Sequence, residues 1–267
     1  MKKYILNVTL ICFSLVLLQS CSLLSSAGLT SKGLPTAEAP DDLTSSTANS
    51  AVNVDHSTWD KLLKKHVDNK GLVNYKGFKE DRQQLDSYLN MLSSQEPTKD
   101  WSVQEQLAYY INLYNAFTID LILRNYPVES IQDINNAFTE GFIKVGDTNI
   151  SLGGVENSIL RKMNEPRIHF AISCASMSCP KLLNEAYTAS KINEQLEMVT
   201  TEFINSDKNE ISQNQPKVSS LFDWYKKDFK EYGTVSDYIN HYSKNTDINS
   251  AATLTFKKYD WALNEQK

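Results

Sequence analysis

Ser102-Val103-Gln104-Glu105-Gln106-Leu107-Ala108-Tyr109-Tyr110-Ile111-Asn112-Leu113-Tyr114-Asn115-Ala116 is the stretch on which the fold turns. Ser followed three residues later by Glu, ahead of an apolar run, is a capping-box start. Leu107, Tyr110, Ile111, Tyr114, Thr118 and Leu121 then recur at helical spacing, and Asn125-Tyr126-Pro127 stops the pattern. Because the opposite side is also apolar, the helix is expected at the centre of the core rather than on its surface.

Working outward, the same periodicity predicts helices on both sides. Ser57 caps a set of Trp59, Leu62, Leu63 and Val67, and Leu85, Tyr88, Leu89 and Leu92 mark a second helix. Downstream, Ile192, Leu196, Val199 and Phe203 form another, Ser220 opens one running to Phe229, and Thr234 caps one through Tyr242. Phe142 to Ile150 reads as a hairpin turning at Gly146-Asp147, with a helix after Gly153-Gly154. Arg167 to Ser173 reads as a strand, Asn214-Gln215-Pro216 as a hairpin turn, and Leu254 to Lys258 as a closing strand. The class is α+β: one helix-rich domain with a small antiparallel sheet or hairpins, lacking the regular alternation of a doubly wound sheet.

The chain starts differently. Lys2 and Lys3 precede a mostly apolar Tyr4–Leu18 stretch, shorter than a membrane-spanning helix, and then Leu18-Gln19-Ser20-Cys21. This resembles the lipobox of bacterial lipoproteins, which implies cleavage before Cys21 and acylation of that cysteine. Several acyl chains give stable anchoring where one is marginal. Ser22 rather than Asp then implies the outer membrane, facing the periplasm. The alternative is an ordinary secretory signal with a chance cysteine. Expected boundaries are a signal at 1–20, a flexible lipidated tether at 21–54 and a globular domain at 55–267. The tether is expected from its Ser, Thr, Ala, Pro and Gly content.

Composition narrows the partners. The chain has 27 Lys and Arg against 32 Asp and Glu; losing Lys2 and Lys3 leaves 25 cations, a formal charge of −7. That acidic balance argues against nucleic acid and against electrostatic adhesion to anionic lipid. With about 41% apolar residues, the chain can build a globular core.

Four groups of residues can carry chemistry. Asn112 and Asn115 share a helix face, where they either pin loop backbone or bind substrate. Glu156 opens a helix that also carries Asn157 and Arg161; it serves as a helix-terminal acid, pairs with Arg161 or orients a histidine. His169 lies in an apolar segment, as a satisfied core residue or as a base. Cys174 and Cys179 are the two cysteines left after Cys12 is removed with the signal and Cys21 is acylated. They are inert, a local disulfide, a redox pair, or the source of a nucleophile, since small residues around Cys174 leave room for approach. Scattered histidines and the absence of Cys-x-x-Cys speak against a metal, and no cofactor is expected.

Together these clusters resemble the family called domain of unknown function 547. The resemblance rests on Asn-x-Tyr-Asn-Ala at Asn112–Ala116, on Ser-Leu-x-x-x-Glu-Asn-x-Ile-Leu-Arg at Ser151–Arg161, and on Pro-Arg-Ile-His-Phe-Ala with its Cys-Ala-Ser loop and Cys-Pro at Pro166–Pro180. It ends on Phe-x-Trp-Tyr-x-x-Asp-Phe at Phe222–Phe229 and covers about Trp59 to Phe229. It implies a papain-like or transglutaminase-like thiol site, with Cys174 as nucleophile. In plant-type members the second cysteine position can be serine, which makes Cys179 the more dispensable.

The leading expectation is a membrane-anchored thiol hydrolase or acyl transferase acting on amide or peptide substrates in the cell envelope. Cys174 would attack, His169 would move the proton and Glu156 would orient His169. Asn112, Asn115 and Arg161 would bind substrate, one of the asparagines donating to the oxyanion. The alternative is a non-catalytic ligand-binding or envelope-organising lipoprotein.

Overall fold

The computed structural model describes residues 22–45 and 52–267. The apolar leader and Cys21 lie outside the described residues, so the expected signal and acylation site receive no structural account.

Helices α1 (Ser57–His66), α2 (Tyr75–Glu80) and α3 (Arg82–Ser94) precede the long α4 (Val103–Asn125). Ser102 Oγ accepts from the Glu105 N–H at 3.2 Å, satisfying one of the donors a helix start leaves free. Every residue of α4 from Glu105 to Leu123 is buried. A helix covered all round can only be a central one, and α3, α7 and the segment at 152–163 pack around it. The short α2, capped by Asn74 accepting from the Gly77 N–H, has too few periodic positions to announce itself in the sequence.

The first hairpin forms as the sequence predicts. β1 (Ile143–Val145) and β2 (Thr148–Ile150) pair antiparallel with Ile143 opposite Ile150, and Gly146 supplies a positive φ at the turn. Beyond it, Ser151 caps α5 (Leu152–Gly154), which runs into a π turn (Val155–Ile159) and a 3-10 turn (Leu160–Met163). Gly153 and Gly154 are needed there for close approach. A Cβ on Gly153 would lie 2.6 Å from the Phe138 carbonyl oxygen, and one on Gly154 2.5 Å from Ser25 Oγ.

Arg167 to Ser173 is not a strand. Ile168–Ala171 forms one helical turn, α6, before the chain extends at Ile172. Both faces of this segment are buried, so its apolar run carries no period that separates helix from strand. Glu165 starts the turn by accepting from the Arg167 N–H through its side chain and from the Ile168 N–H through its carbonyl.

Helix α7 (Ile192–Ile204) buries the expected Ile192, Leu196, Val199 and Phe203. Glu210 and Lys217 close the hairpin expected at 214–216, and β3 (Lys217–Val218) then pairs parallel with β4 (Thr255–Phe256). The expectation of antiparallel pairing throughout is therefore corrected at this second two-stranded sheet. Helix α8 (Leu221–Trp224) stops earlier than its apolar pattern suggests, and turns carry the chain through 225–229. Helix α9 (Val235–Tyr242) carries a full capping box at Thr234 and Asp237. No helix among the described residues is long and apolar enough to cross a membrane.

Residues 22–45, read from composition as a loose tether, make specific contacts with the domain. Ser158 Oγ donates to the Ser25 carbonyl at 2.6 Å, Asn157 Nδ2 to the Ser26 carbonyl at 2.9 Å, and the Ala39 N–H to the Met163 carbonyl at 2.7 Å. Composition cannot report such contacts because they are made largely by backbone groups.

Candidate active site

Three turns of chain bring Glu156, His169 and Cys174 to one cavity of about 340 Å³, together with Cys179, Tyr114, Tyr225 and Tyr259. Glu156 comes from the π turn, a departure from regular helix that often occurs at functional sites. His169 comes from α6. Cys174 and Cys179 come from the loop after it.

That loop is pinned from two sides. Asn115 on α4 donates from Nδ2 to the Ala171 carbonyl at 3.0 Å and accepts the Ser173 N–H at 2.8 Å, clamping the backbone just before Cys174. The Met177 N–H donates to the Ala262 carbonyl at 2.8 Å and the Ser178 N–H to the Asp260 carbonyl at 3.1 Å. Ala175 takes φ +60° to make the turn. Asn112 performs a similar clamp at Tyr187, donating to its carbonyl at 2.7 Å and accepting its N–H at 3.1 Å. Both asparagines, expected to bind substrate, thus hold backbone, and neither lines the cavity.

The two sulfurs are free and 2.9 Å apart. The Cys174 backbone N–H points at Cys179 Sγ, also at 2.9 Å. Cys174 Sγ further meets Ser176 Oγ at 3.2 Å and the Tyr259 hydroxyl at 3.4 Å. One proton is shared unequally in this pair. Cys174 is pushed well up, chiefly because its thiol donates to Cys179, and also by burial and by the charge on its neighbour. Burial pushes Cys179 up too, but the two hydrogen bonds from Cys174, one from Tyr259 and the charge of Lys208 overcome it and bring Cys179 down to about 7. Lys208 Nζ donates to the Cys179 carbonyl, and its own pKa is lowered by burial. Cys179 is only 5% exposed, whereas Cys174 is half-buried and the more approachable sulfur.

His169 hydrogen-bonds neither sulfur. Its Nε2 lies 2.8 Å from Asp228 Oδ2, so against a carboxylate it is the donor, while Nδ1 is buried with no partner among the described residues. Tyr225 stacks on the imidazole with ring centroids 4.0 Å apart. Asp228 also takes a two-pronged pair of bonds from Arg161, Nε at 2.6 Å and Nη2 at 2.8 Å. Burial alone would raise the Asp228 carboxyl, but His169 and Arg161 hold it well below its ordinary range.

Arg161 is therefore the partner of an acid, with its remaining nitrogen on Asn157 Oδ1 at 2.9 Å. Glu156, expected to orient the histidine, instead accepts from the hydroxyls of Tyr225 and, at 3.4 Å, Tyr114. Asp228 occupies the role assigned to Glu156. It stands in the Phe222–Phe229 segment, where two acids, Asp223 and Asp228, among aromatics were the only signal. Tyr259 and Lys208 had none. At the cavity mouth Trp224 is 47% exposed and stacks near Tyr259 and Trp261. Among the described residues no group of three or more His, Cys, Asp or Glu is placed to hold a metal ion.

The chain is thus a helix-rich protein with two thiols, an imidazole and a carboxylate on one cavity. Residues 98–204 match the family model described as "Protein of unknown function, DUF547", and this stretch is a DUF547 domain. The match takes in Asn112, Asn115, Glu156, Arg161, His169, Cys174 and Cys179; Tyr225, Asp228 and Tyr259 lie beyond it. No curated protein and no solved structure matches the chain.

Proposed function

We propose that the cavity carries out thiol-dependent acyl transfer or hydrolysis on an amide or peptide substrate, with Cys174 as nucleophile. The observation that carries this reading is the half-buried Cys174 sulfur lying 2.9 Å from a Cys179 whose pKa is brought to about 7. A thiol that donates to a neighbouring thiolate has a proton acceptor in place as it attacks.

In this scheme Cys174 Sγ bonds to the acyl carbon as its proton passes to Cys179. Cys179 returns that proton to the departing amine, leaving a thioester on Cys174. Water then cleaves the thioester, giving its proton towards Nδ1 of His169, whose other nitrogen is fixed by Asp228, and that proton passes on to the departing Cys174 sulfur to restore the thiol. The Tyr259 hydroxyl, 3.4 Å from the reacting sulfur and lining the cavity, takes the oxyanion part expected of Asn112 or Asn115. The constellation is Cys–Cys with His–Asp, related in logic to papain-like and transglutaminase-like sites but with a second thiol as the first proton acceptor. The lipobox at Leu18–Cys21 puts this chemistry on a lipoprotein held at the bilayer through acylated Cys21, in the cell envelope, with the outer membrane as its address.

Reaction with p-nitrophenyl acetate tests the scheme. The expected result is an acetyl group on Cys174, turnover in the unaltered protein, and an acetyl-enzyme that persists in His169→Gln. Acylation of Cys174 no faster than in the unfolded chain, or undiminished hydrolysis by Cys174→Ser, would overturn it.

A further inference from the structure

We infer that Cys174 and Cys179 also form a reversible dithiol–disulfide couple, oxidised by exchange with a small disulfide or the disulfide of a thiol peptide entering the cavity. The juxtaposition of two free sulfurs carries this, whether or not the site transfers acyl groups. They are 2.9 Å apart, and a covalent bond of about 2.05 Å needs a shift of only about 0.9 Å.

The loop is built to hold them there. The Cys179 N–H donates to the Ser176 carbonyl at 3.1 Å, and Asn115 and residues 260–262 pin the backbone on either side. The sulfurs therefore stay adjacent without a bond between them, so opening the disulfide need not unfold the loop. Access is unequal, as exchange requires. Cys174 lines the 340 Å³ cavity half-buried, while Cys179, lining the same cavity, is only 5% exposed. An aromatic-walled cavity of this size takes a small organic ligand.

The steps balance. Cys174, handing its proton to Cys179, attacks one sulfur of R–S–S–R and releases a thiolate, forming Cys174–S–S–R. The released thiolate takes the proton from Cys179. The Cys179 thiolate then attacks the Cys174 sulfur and expels the second thiolate. Two protein sulfurs are oxidised by two electrons and one external disulfide is reduced to two thiols. The oxidised state has no nucleophile, so the same event would switch acyl transfer off.

Glutathione disulfide added to the reduced full chain, followed by tryptic mapping, tests the inference. Both cysteines fall in the peptide Ile168–Lys181. The expected result is a mass loss of about 2 Da in that peptide, reversed by dithiothreitol, the signature of an internal disulfide. Cys179→Ser should instead retain one glutathione on Cys174. Recovery of Ile168–Lys181 with both thiols still free, or with separate glutathione adducts and no internal bridge, overturns the couple. Because the readout is mass rather than turnover, it can fail while p-nitrophenyl acetate still acylates Cys174, and the reverse.

Discussion

The two walls of the cavity are made by different parts of the chain and held by different physics. One wall, the 172–180 segment, is fixed by neutral backbone hydrogen bonds, with Asn115 clamping Ala171 and Ser173 at its start. The other, the His169 imidazole with Tyr225 stacked on it, is backed from outside the cavity lining by an ionic chain, Arg161 to Asp228 to His169. The neutral wall positions sulfur through geometry and should depend little on pH. The ionic wall positions a ring through charge, and its strength titrates.

Removing Asp228 tests that contrast most severely. Asp228→Ala leaves the Arg161 cation and the His169 donor without their shared acceptor, and should cost about 3 kcal/mol, read by urea unfolding. Because its folded carboxyl titrates below the unfolded value, its contribution is complete above about pH 3.9. It is lost as the pH falls towards the folded value. Asp228→Asn should therefore unfold with a flatter acid profile than the unaltered chain, and an unchanged profile would show that the ion pair does not report on folding.

The neutral wall should break more cheaply. Asn115→Ala leaves the Ser173 N–H unpaired in the core, at about 2 kcal/mol, with no added pH dependence. Unfolding curves at pH 5 and pH 8 that diverged between the variant and its parent would count against a purely geometric clamp.

A smaller effect lies behind the sulfurs. Lys208→Met removes the charge that helps bring Cys179 down. The midpoint of the pH profile for iodoacetamide alkylation should rise, with reactivity at pH 7 falling about threefold to tenfold. A midpoint that did not move would leave the hydrogen bonds from Cys174 and Tyr259 as the whole cause. Smallest, Tyr225→Phe keeps the stack on His169 and loses only the bond to Glu156, about 1 kcal/mol in the same unfolding assay.

Periodicity was sufficient to read α1, α3, α4, α7 and α9 and the first hairpin, with caps at Ser102 and Thr234, because each rests on contacts within a few residues; Ser57, expected to cap α1, is instead its first residue, and no side chain caps that helix. The Cys174 loop was also legible, since small residues between two cysteines are a local feature. The 168–171 turn was misread because burial on both faces erases the period. The orienting acid was misassigned for a different reason. Glu156 is the acid nearer His169 in the chain, while Asp228 lies 59 residues beyond it.

By itself the sequence determined the helical content, the central place of α4 and the residue types that supply sulfur, imidazole and carboxylate. Only the tertiary structure decided which of them meet. Tyr259 reaches Cys174 across 85 residues, Arg161 meets Asp228 across 67, and Cys174 faces Cys179 rather than His169. Helices follow from short-range hydrogen bonds and side-chain spacing, which a linear pattern records. Which distant side chains close a cavity depends on the packing of the whole core, and no single stretch of sequence records that.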